Sequence, residues 1–419
     1  MMKKVLNYLL LRDYELSFSI PFFGNFLAIC MALSVCLCVT GFLFMIPGKH
    51  YPYYAACAIS LIYIIFKGGI KINKQMLFFY AVIIFNVLVL PIDPMFRSQL
   101  RAMNFIFVTL VCSPVIKSQT AFAFRERVFK YALIGFSILT VLSFFCFFFG
   151  INMMPFNREG AMELYDDYQN VGGKFSGLFN HSMILGPISA IVSLVYFNLY
   201  LKYHDKVRLI LFFLTSMACL FSASRAALLG LGLGVAFTMY KAWTSKNSFV
   251  SIKRVISIIA FVGIATLPIA DVAFSGLFDK IETTKEQFGD YNSRDRKFER
   301  RMFEFYESPI VGIGFASIDI RTGDAYNSVN GQIEPGTAHL AVLSQTGLIG
   351  MLAYILMLYG ALRIIKKRNS VNSYINYSIF WFFFGHGWAE GWIFAAGGMI
   401  CFMFWLSMSQ CYDLEFKKC

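Results

Sequence analysis

The sequence predicts an all-α, polytopic membrane protein with about twelve transmembrane helices, because spans of roughly 20 apolar residues recur along its whole length. Three observations carry that prediction. Of 419 residues, 58% are hydrophobic and only 15% are charged, far too little charge to clothe a soluble protein of this size. The apolar residues fall in long runs, and Lys and Arg fall in short clusters between them. The net charge of +13 therefore does not describe a nucleic-acid surface, since its cations are split among many short connections.

Taken in order, the predicted spans are 20–46, 53–66, 76–92, 102–116, 131–150, 180–200, 208–222, 226–240, 255–271, 340–364, 374–387 and 392–409. The N-terminal MMKKVLNYLLLRDYE is too polar for a cleavable signal peptide and no small-residue cleavage site follows it. Alternate connections are basic: Lys3, Lys4 and Arg12; Lys67, Lys71 and Lys74; Lys117, Arg125, Arg127 and Lys130; Lys202, Lys206 and Arg208; Lys241, Lys246, Lys253 and Arg254; Arg363, Lys366, Lys367 and Arg368. The positive-inside rule assigns these to the cytoplasm and, with an even number of spans, both termini as well. Two outer segments exceed a simple turn. Residues 151–179 are acidic, with Glu159, Glu163, Asp166 and Asp167, and residues 272–339 are long enough for a small helical cap inserted in a single integral membrane domain, 1–419. Within the second, SRDRKFERRMFEFYE reads as an amphipathic helix, Phe298, Met302 and Phe305 on one face and Arg294, Lys297 and Arg301 on another. Ser308-Pro309 ends it and GIGF at 312–315 turns. The ten cysteines lie mostly inside apolar runs and show no metal spacing, so neither a disulfide framework nor zinc is expected. There is no internal repeat of the kind that builds many transporters.

Several polar residues stand out on the outer side. Arg225, in FSASRAALLGLGLGVAF, is either an arginine snorkelling to the interface or an anion clamp, since guanidinium stays charged and can hold phosphate with two donors. Gly230, Gly232 and Gly234 behind it would let helices approach closely. Arg294, Arg296, Arg300 and Arg301 make either a solvated charged face or a contact for a phosphate-bearing lipid. His339, where the outer loop returns to the membrane, is a structural helix-end residue or a base for a hydroxyl nucleophile. Glu390 and His386, in GHGWAEGWIFAAGG, are a carboxylate and an imidazole at the meeting of the last two spans, where a pairing with arginine competes with an acid/base role. Asn180, with its neighbour His181, follows the acidic loop and reads as a helix cap or a substrate contact.

Four segments in order resemble the O-antigen polymerase and O-antigen ligase superfamily of bacterial envelope polysaccharide assembly: KFSGLFNHSMILG, SASRAALLG, SRDRKFERRMFEFYESPIVGIGF and HLAVLSQTGLIGML. The resemblance covers roughly residues 170–365. It implies a GT-C-like, metal-independent membrane glycosyltransferase of the inner membrane that needs no cofactor. Its donor would be a glycan on undecaprenyl pyrophosphate and its acceptor a second glycan, with a chain-length regulator and a flippase as candidate partners. Arg225 and Arg294 match the family arginines that would hold the donor pyrophosphate as it leaves, and His339 would match the histidine that activates the acceptor hydroxyl. Lys174, Asn180, His181, Arg300, Arg301 and His386 are further substrate-binding candidates. The chain departs from the pattern where the family has a His-Asn pair: here Gly336 stands, and His339 follows one helical turn later on the same face. That departure favours a polymerase of lipid-linked repeat units over a ligase to lipid A-core, with Glu390 as a second candidate base. A transporter of lipid-linked oligosaccharide is the reading from another class, but it would carry charge deep in its spans, and here the mid-span positions are nearly uncharged.

Overall fold

In the computed structural model the described residues are 2–41, 48, 50–151, 175–245, 253, 256–258, 260, 263–264, 293–319, 321, 326–327, 332–333 and 336–413. They are almost wholly helical: α1 Met2–Leu9, α2 Phe22–Val39, α3 Tyr51–Gly68, α4 Lys74–Val89, α5 Ser98–Cys112, α6 Gln119–Phe148, α7 Ser182–Tyr203, α8 Lys206–Phe221, α9 Arg225–Thr244, α10 Ser293–Glu307, α11 Ala338–Lys366, α12 Val371–Ala389 and α13 Met399–Asp413. Two short strands, β1 Tyr326–Asn327 and β2 Gln332–Ile333, pair antiparallel within the segment predicted as a helical cap. Polar caps start the long helices where the apolar runs begin. Asn73, Ser118, Asp205, Ser224, Thr337 and Ser370 each accept a hydrogen bond from an amide of the first turn.

A helix forms most of each predicted span except 255–271, which, like residues 42–47 of the first span, lies largely outside the described residues. Five of them (α2, α6, α7, α9 and α11) are long and apolar enough on their own to cross a membrane. Shorter apolar helices pack beside these, and large side chains such as Phe22, Phe66 and Leu88 point outward, as a lipid-facing surface requires. Two spans differ from the prediction. α6 starts at Gln119 rather than 131, because Arg125, which reads as part of a cytoplasmic connection, is buried inside the helix and paired with Asp413 of α13 at 3.0 Å. The last span starts at Met399, residues 390–398 forming turns instead.

The bundle has two chemically distinct ends. One, the basic end, carries the clustered cations, and many are held by buried partners. Arg125 Nη1 donates to the carbonyls of Ser113 and Ile116. Lys241 donates to the carbonyl of Ile365 at 2.9 Å and to Ser373 Oγ at 2.6 Å, and lies over the Tyr374 ring. Arg208 pairs with Asp13, and Glu126 accepts from Ser17, which together pin the N-terminal segment beneath the bundle. The centre is aromatic, with Phe79, Phe105, Phe315, Phe394 and Trp405 in mutual contact.

α9 and α12 pack as extensively as any helix pair among the described residues. Their register follows from the small residues. A Cβ on Gly230 would come within 2.7 Å of Phe382, and one on Gly234 within 2.9 Å of the Ser378 carbonyl. Each step of four along α9 is thus a step of four back along α12, which carries Ala226 to the level of His386 and Arg225 to that of Gly387. Gly232, grouped with these two in the sequence, faces open space.

Candidate functional site

The second, less basic end gathers most of the sequence candidates. α8 ends at Phe221 and α9 starts at Arg225, so the chain reverses within three residues. Ala223 takes a left-handed conformation (φ 51°) to do so, and Ser224 caps α9 by accepting from Ala227 N. This reversal packs on Gly186 of α7, where a Cβ would lie 2.7 Å from Ser222 Oγ and from Ser224 Cβ. Two of the four segments singled out in the sequence, FNHSMILG and SASRAALLG, are therefore in direct contact. Arg225 is the first residue of α9, half-buried, and makes no hydrogen bond or ion pair with the described residues. A cation at a helix N-terminus opposes the helix dipole, so the position is electrostatically costly unless an anion joins it. With that anion present, guanidinium and free helix amides point at the same charge.

Beside this reversal lies an aromatic wall. Phe147 stacks on Phe221 at 3.8 Å, and Phe144 and Phe175 complete the contact. Asn180 does not cap α7: His181 does, its Nδ1 accepting from Met183 N at 2.9 Å. Asn180 instead joins the start of α7 to the end of α2, its backbone donating to the Val39 carbonyl at 2.9 Å, and its Oδ1 is buried with no partner among the described residues. Lys174 lies outside the described residues.

The same end is closed by the junction of α11 and α12. Thr337 caps α11 through Leu340 N, and the amide of Ala338 donates to the Glu390 carbonyl at 3.0 Å. Glu390 ends α12 in an extended conformation and is half-buried. His339 is 2% exposed and packs among Tyr354, Phe384 and Trp388. Its Nε2 lies 2.9 Å from the Phe384 carbonyl and its Nδ1 3.2 Å from the Tyr354 hydroxyl. A carbonyl only accepts, so Nε2 carries the proton and Nδ1 receives the tyrosine O–H. Both ring nitrogens are then engaged, and in this arrangement no lone pair is presented to a substrate hydroxyl. His386 is likewise buried, with Trp392 Nε1 donating to its Nδ1 at 2.8 Å.

The outer helix α10 spans the predicted residues, but its buried face is the charged one. Arg301 and Glu304 are both fully buried against α11 and pair at 2.6 Å. Arg301 also donates to Ser344 Oγ, and Glu304 accepts from the amide of Asp319. Phe303 and Tyr306 are exposed instead. Arg301, read in the sequence as part of a solvated or lipid-contacting charged face, is instead buried beside Glu304 and Ser344, while Phe303 and Tyr306 face outward. Lys297 and Arg300 flank Gly336, whose φ of 74° and lack of a side chain let α10 seat there. Arg294 lies in the first turn of α10, one turn beyond Lys297, and only its backbone is described.

A feature that the sequence did not announce joins the last two singled-out segments. α11 breaks at Gly347, where φ is 63° and ψ −165°. The SPIVGIGF segment fills the break. Leu348 N donates to the Pro309 carbonyl at 2.8 Å, and Ile313 N and Gly314 N donate to the carbonyls of Ser344 and Gln345. A Cβ on Gly347 would meet the Ile310 carbonyl at 2.3 Å, and one on Gly312 the Gln345 carbonyl carbon at 2.4 Å. The only signals for this in the sequence are the glycines themselves.

Arg225, Glu390, His339 and α10 therefore stand at one end of the bundle, opposite the basic end, because the ends of α9, α11 and α12 meet there. Residues 210–355, from α8 through the break in α11, match the sequence model of the O-antigen ligase family. This supports the resemblance to O-antigen polymerases and ligases. No curated protein matches the chain.

Proposed function

From an O-antigen ligase domain at its centre, we propose that this chain polymerises undecaprenyl-pyrophosphate-linked oligosaccharide repeat units into O-antigen or another surface polysaccharide. The reaction takes place on the periplasmic face of the inner membrane, with both chain termini in the cytoplasm. The observation that carries this reading is Arg225, a half-buried guanidinium without a partner among the described residues, at the N-terminus of α9 and away from the basic end.

A hydroxyl oxygen of the acceptor sugar attacks the anomeric carbon of the donor and forms the new glycosidic bond. The bond from that carbon to the pyrophosphate oxygen breaks, and its electron pair leaves on the pyrophosphate. Arg225, the α9 amides and Arg294 neutralise the charge as it develops, where fixed cations lower the barrier most. The hydroxyl proton passes to a base on the same face. His339 and Glu390 are the two candidates, and the engagement of both His339 nitrogens favours Glu390, with His339 positioning the α11–α12 junction. The aromatic wall around Phe147 and Phe221 offers the lipid tail an apolar bed below the clamp. Residues 272–339 act as a cap inserted in one membrane domain, and a flippase and a chain-length regulator work beside it.

Complementing a deletion strain tests this reading. Arg225→Ala, and separately Arg294→Ala, should abolish long-chain glycan while the protein stays in the membrane, and Arg225→Lys should restore it only in part. Normal chain lengths in both alanine variants would overturn the clamp. The name of the matching family favours one second reading, a ligase moving finished glycan from undecaprenyl pyrophosphate to lipid A-core. The deletion strain separates the two. A single repeat on core marks a lost polymerase, whereas long chains held on the lipid carrier mark a lost ligase. A transporter is disfavoured because the buried charges of the described residues (Arg125, Glu126, Arg127, Asp413, Lys241, Arg208, Arg301 and Glu304) sit at the two ends of the bundle.

A further inference from the structure

At the basic end, away from the site described above, a cavity of about 600 Å³ opens between the start of α4, the α5–α6 connection, the end of α11 and the end of α13. Lys74, Lys117, Arg363, Lys367 and Arg368 line it, and no Asp or Glu does. Lys74, Arg363 and Lys367 make no ion pair or hydrogen bond with the described residues, and all three are exposed. Like charges crowded round one cavity repel each other unless a counter-anion sits among them.

A second observation points the same way. Asn73 lines the cavity and is 5% exposed. Its Oδ1 accepts from Gln75 N at 3.1 Å and its backbone donates to the Val115 carbonyl, but its Nδ2 is buried with no partner among the described residues. A buried amide donor without a partner, on a residue that lines a cavity ringed by cations, is a place for an acceptor atom. The floor is already satisfied, with the Tyr412 hydroxyl 2.5 Å from Gln75 Oε1. The side-chain groups there that have no partner among the described residues, those of Lys74, Arg363 and Lys367 and the Asn73 Nδ2, all donate.

The rim tells which anion. One turn from Lys74, Leu77 and Phe78 are exposed on α4, and one to two turns before Arg363, Leu356 and Tyr359 are exposed on α11. The cationic mouth thus runs directly into apolar, lipid-facing surface. A soluble phosphate would use the first and leave the second idle, whereas a phospholipid fills both.

We propose that this cavity binds the headgroup of an anionic phospholipid of the leaflet at the basic end, preferentially one with two phosphates, its acyl chains lying along α4 and α11. Basic pockets between membrane helices suit such headgroups, each nearby cation contributing about 5-fold in affinity. The proposal does not depend on the glycan chemistry at the other end.

The test uses the purified full chain in neutral detergent, titrated with diphosphatidylglycerol, phosphatidylcholine or inorganic phosphate, with bound lipid counted by native mass spectrometry. Diphosphatidylglycerol should bind and phosphatidylcholine should not compete with it. Arg363→Gln with Lys367→Gln should weaken binding about 25-fold, on the same scale of about 5-fold per cation. Lys206→Gln, at the same end but outside the cavity, should change it little. Asn73→Asp keeps the helix cap, since Asp caps as well as Asn, but turns the donor into an anion; it should weaken binding while the protein remains folded. Equal binding of phosphatidylcholine, full displacement by millimolar inorganic phosphate, or unchanged binding in a folded Asn73→Asp variant would each overturn the proposal.

Discussion

His339 shows how a side chain's chemistry is set by what occupies its lone pairs. In the sequence it is the one imidazole at the point where the outer loop meets the membrane, and a base is the natural expectation there. In the fold its Nε2 is spent on the Phe384 carbonyl and its Nδ1 on the Tyr354 hydroxyl. Glutamine can supply the same donor and acceptor but cannot take a proton at neutral pH. His339→Gln is therefore expected to keep long-chain synthesis if the residue only positions the junction, and a glycan ladder on a gel reads the result. Glu390→Gln is expected to lower synthesis by about 10²–10⁴-fold, the usual contribution of a general base. An unaffected ladder in Glu390→Gln together with a lost one in a stable His339→Gln protein would return the role to the histidine. Arg225 was legible because it stands between two apolar runs. The burial of Arg301 was not, because Ser344 and the rest of α11 cover the local Arg301–Glu304 pair only when α10 docks there.

At the level of the elements, glycines decide which helices touch. Gly230 and Gly234 admit Phe382 and the α12 backbone, while Gly232 between them faces outward. Gly230→Leu should overpack the α9–α12 contact and cost roughly 1–3 kcal/mol, seen as earlier thermal aggregation in detergent, whereas Gly232→Ala should leave the protein as stable as before. If both variants behaved alike, the register of α9 on α12 would be wrong. A GxGxG run in a membrane helix is visible in the sequence, but which of its glycines meets a neighbour is not, since that depends on how the helix is rotated. The break at Gly347 is similar. α11 reads as one continuous apolar run, and only the docking of residues 309–314 explains why the helix opens there.

For the whole molecule, the two ends of the bundle differ in charge. The cation clusters collect at one end and the Arg225 face at the other, the arrangement that the positive-inside rule anticipates for a site outside the cytoplasm. Asn330→Cys, in the outer segment, should react with an impermeant maleimide in intact spheroplasts, and Lys206→Cys only after lysis; the reverse pattern would invert the topology. Arg125 and Asp413 hold the basic end together across most of the chain, 1% and 0% exposed. Asp413→Ala strands a buried guanidinium and should cost about 3–5 kcal/mol, measurable as lost protein in the membrane and a lowered melting temperature. The sequence by itself determined the helical class, the places of most of the long helices and the clustering of the cations, because lipid imposes length, apolarity and charge placement on each span separately. Tertiary structure alone decided which charges are held inside, that both nitrogens of His339 are engaged, and that a ring of cations surrounds Asn73. Each of these depends on partners far apart in the chain, and no local pattern encodes such a meeting.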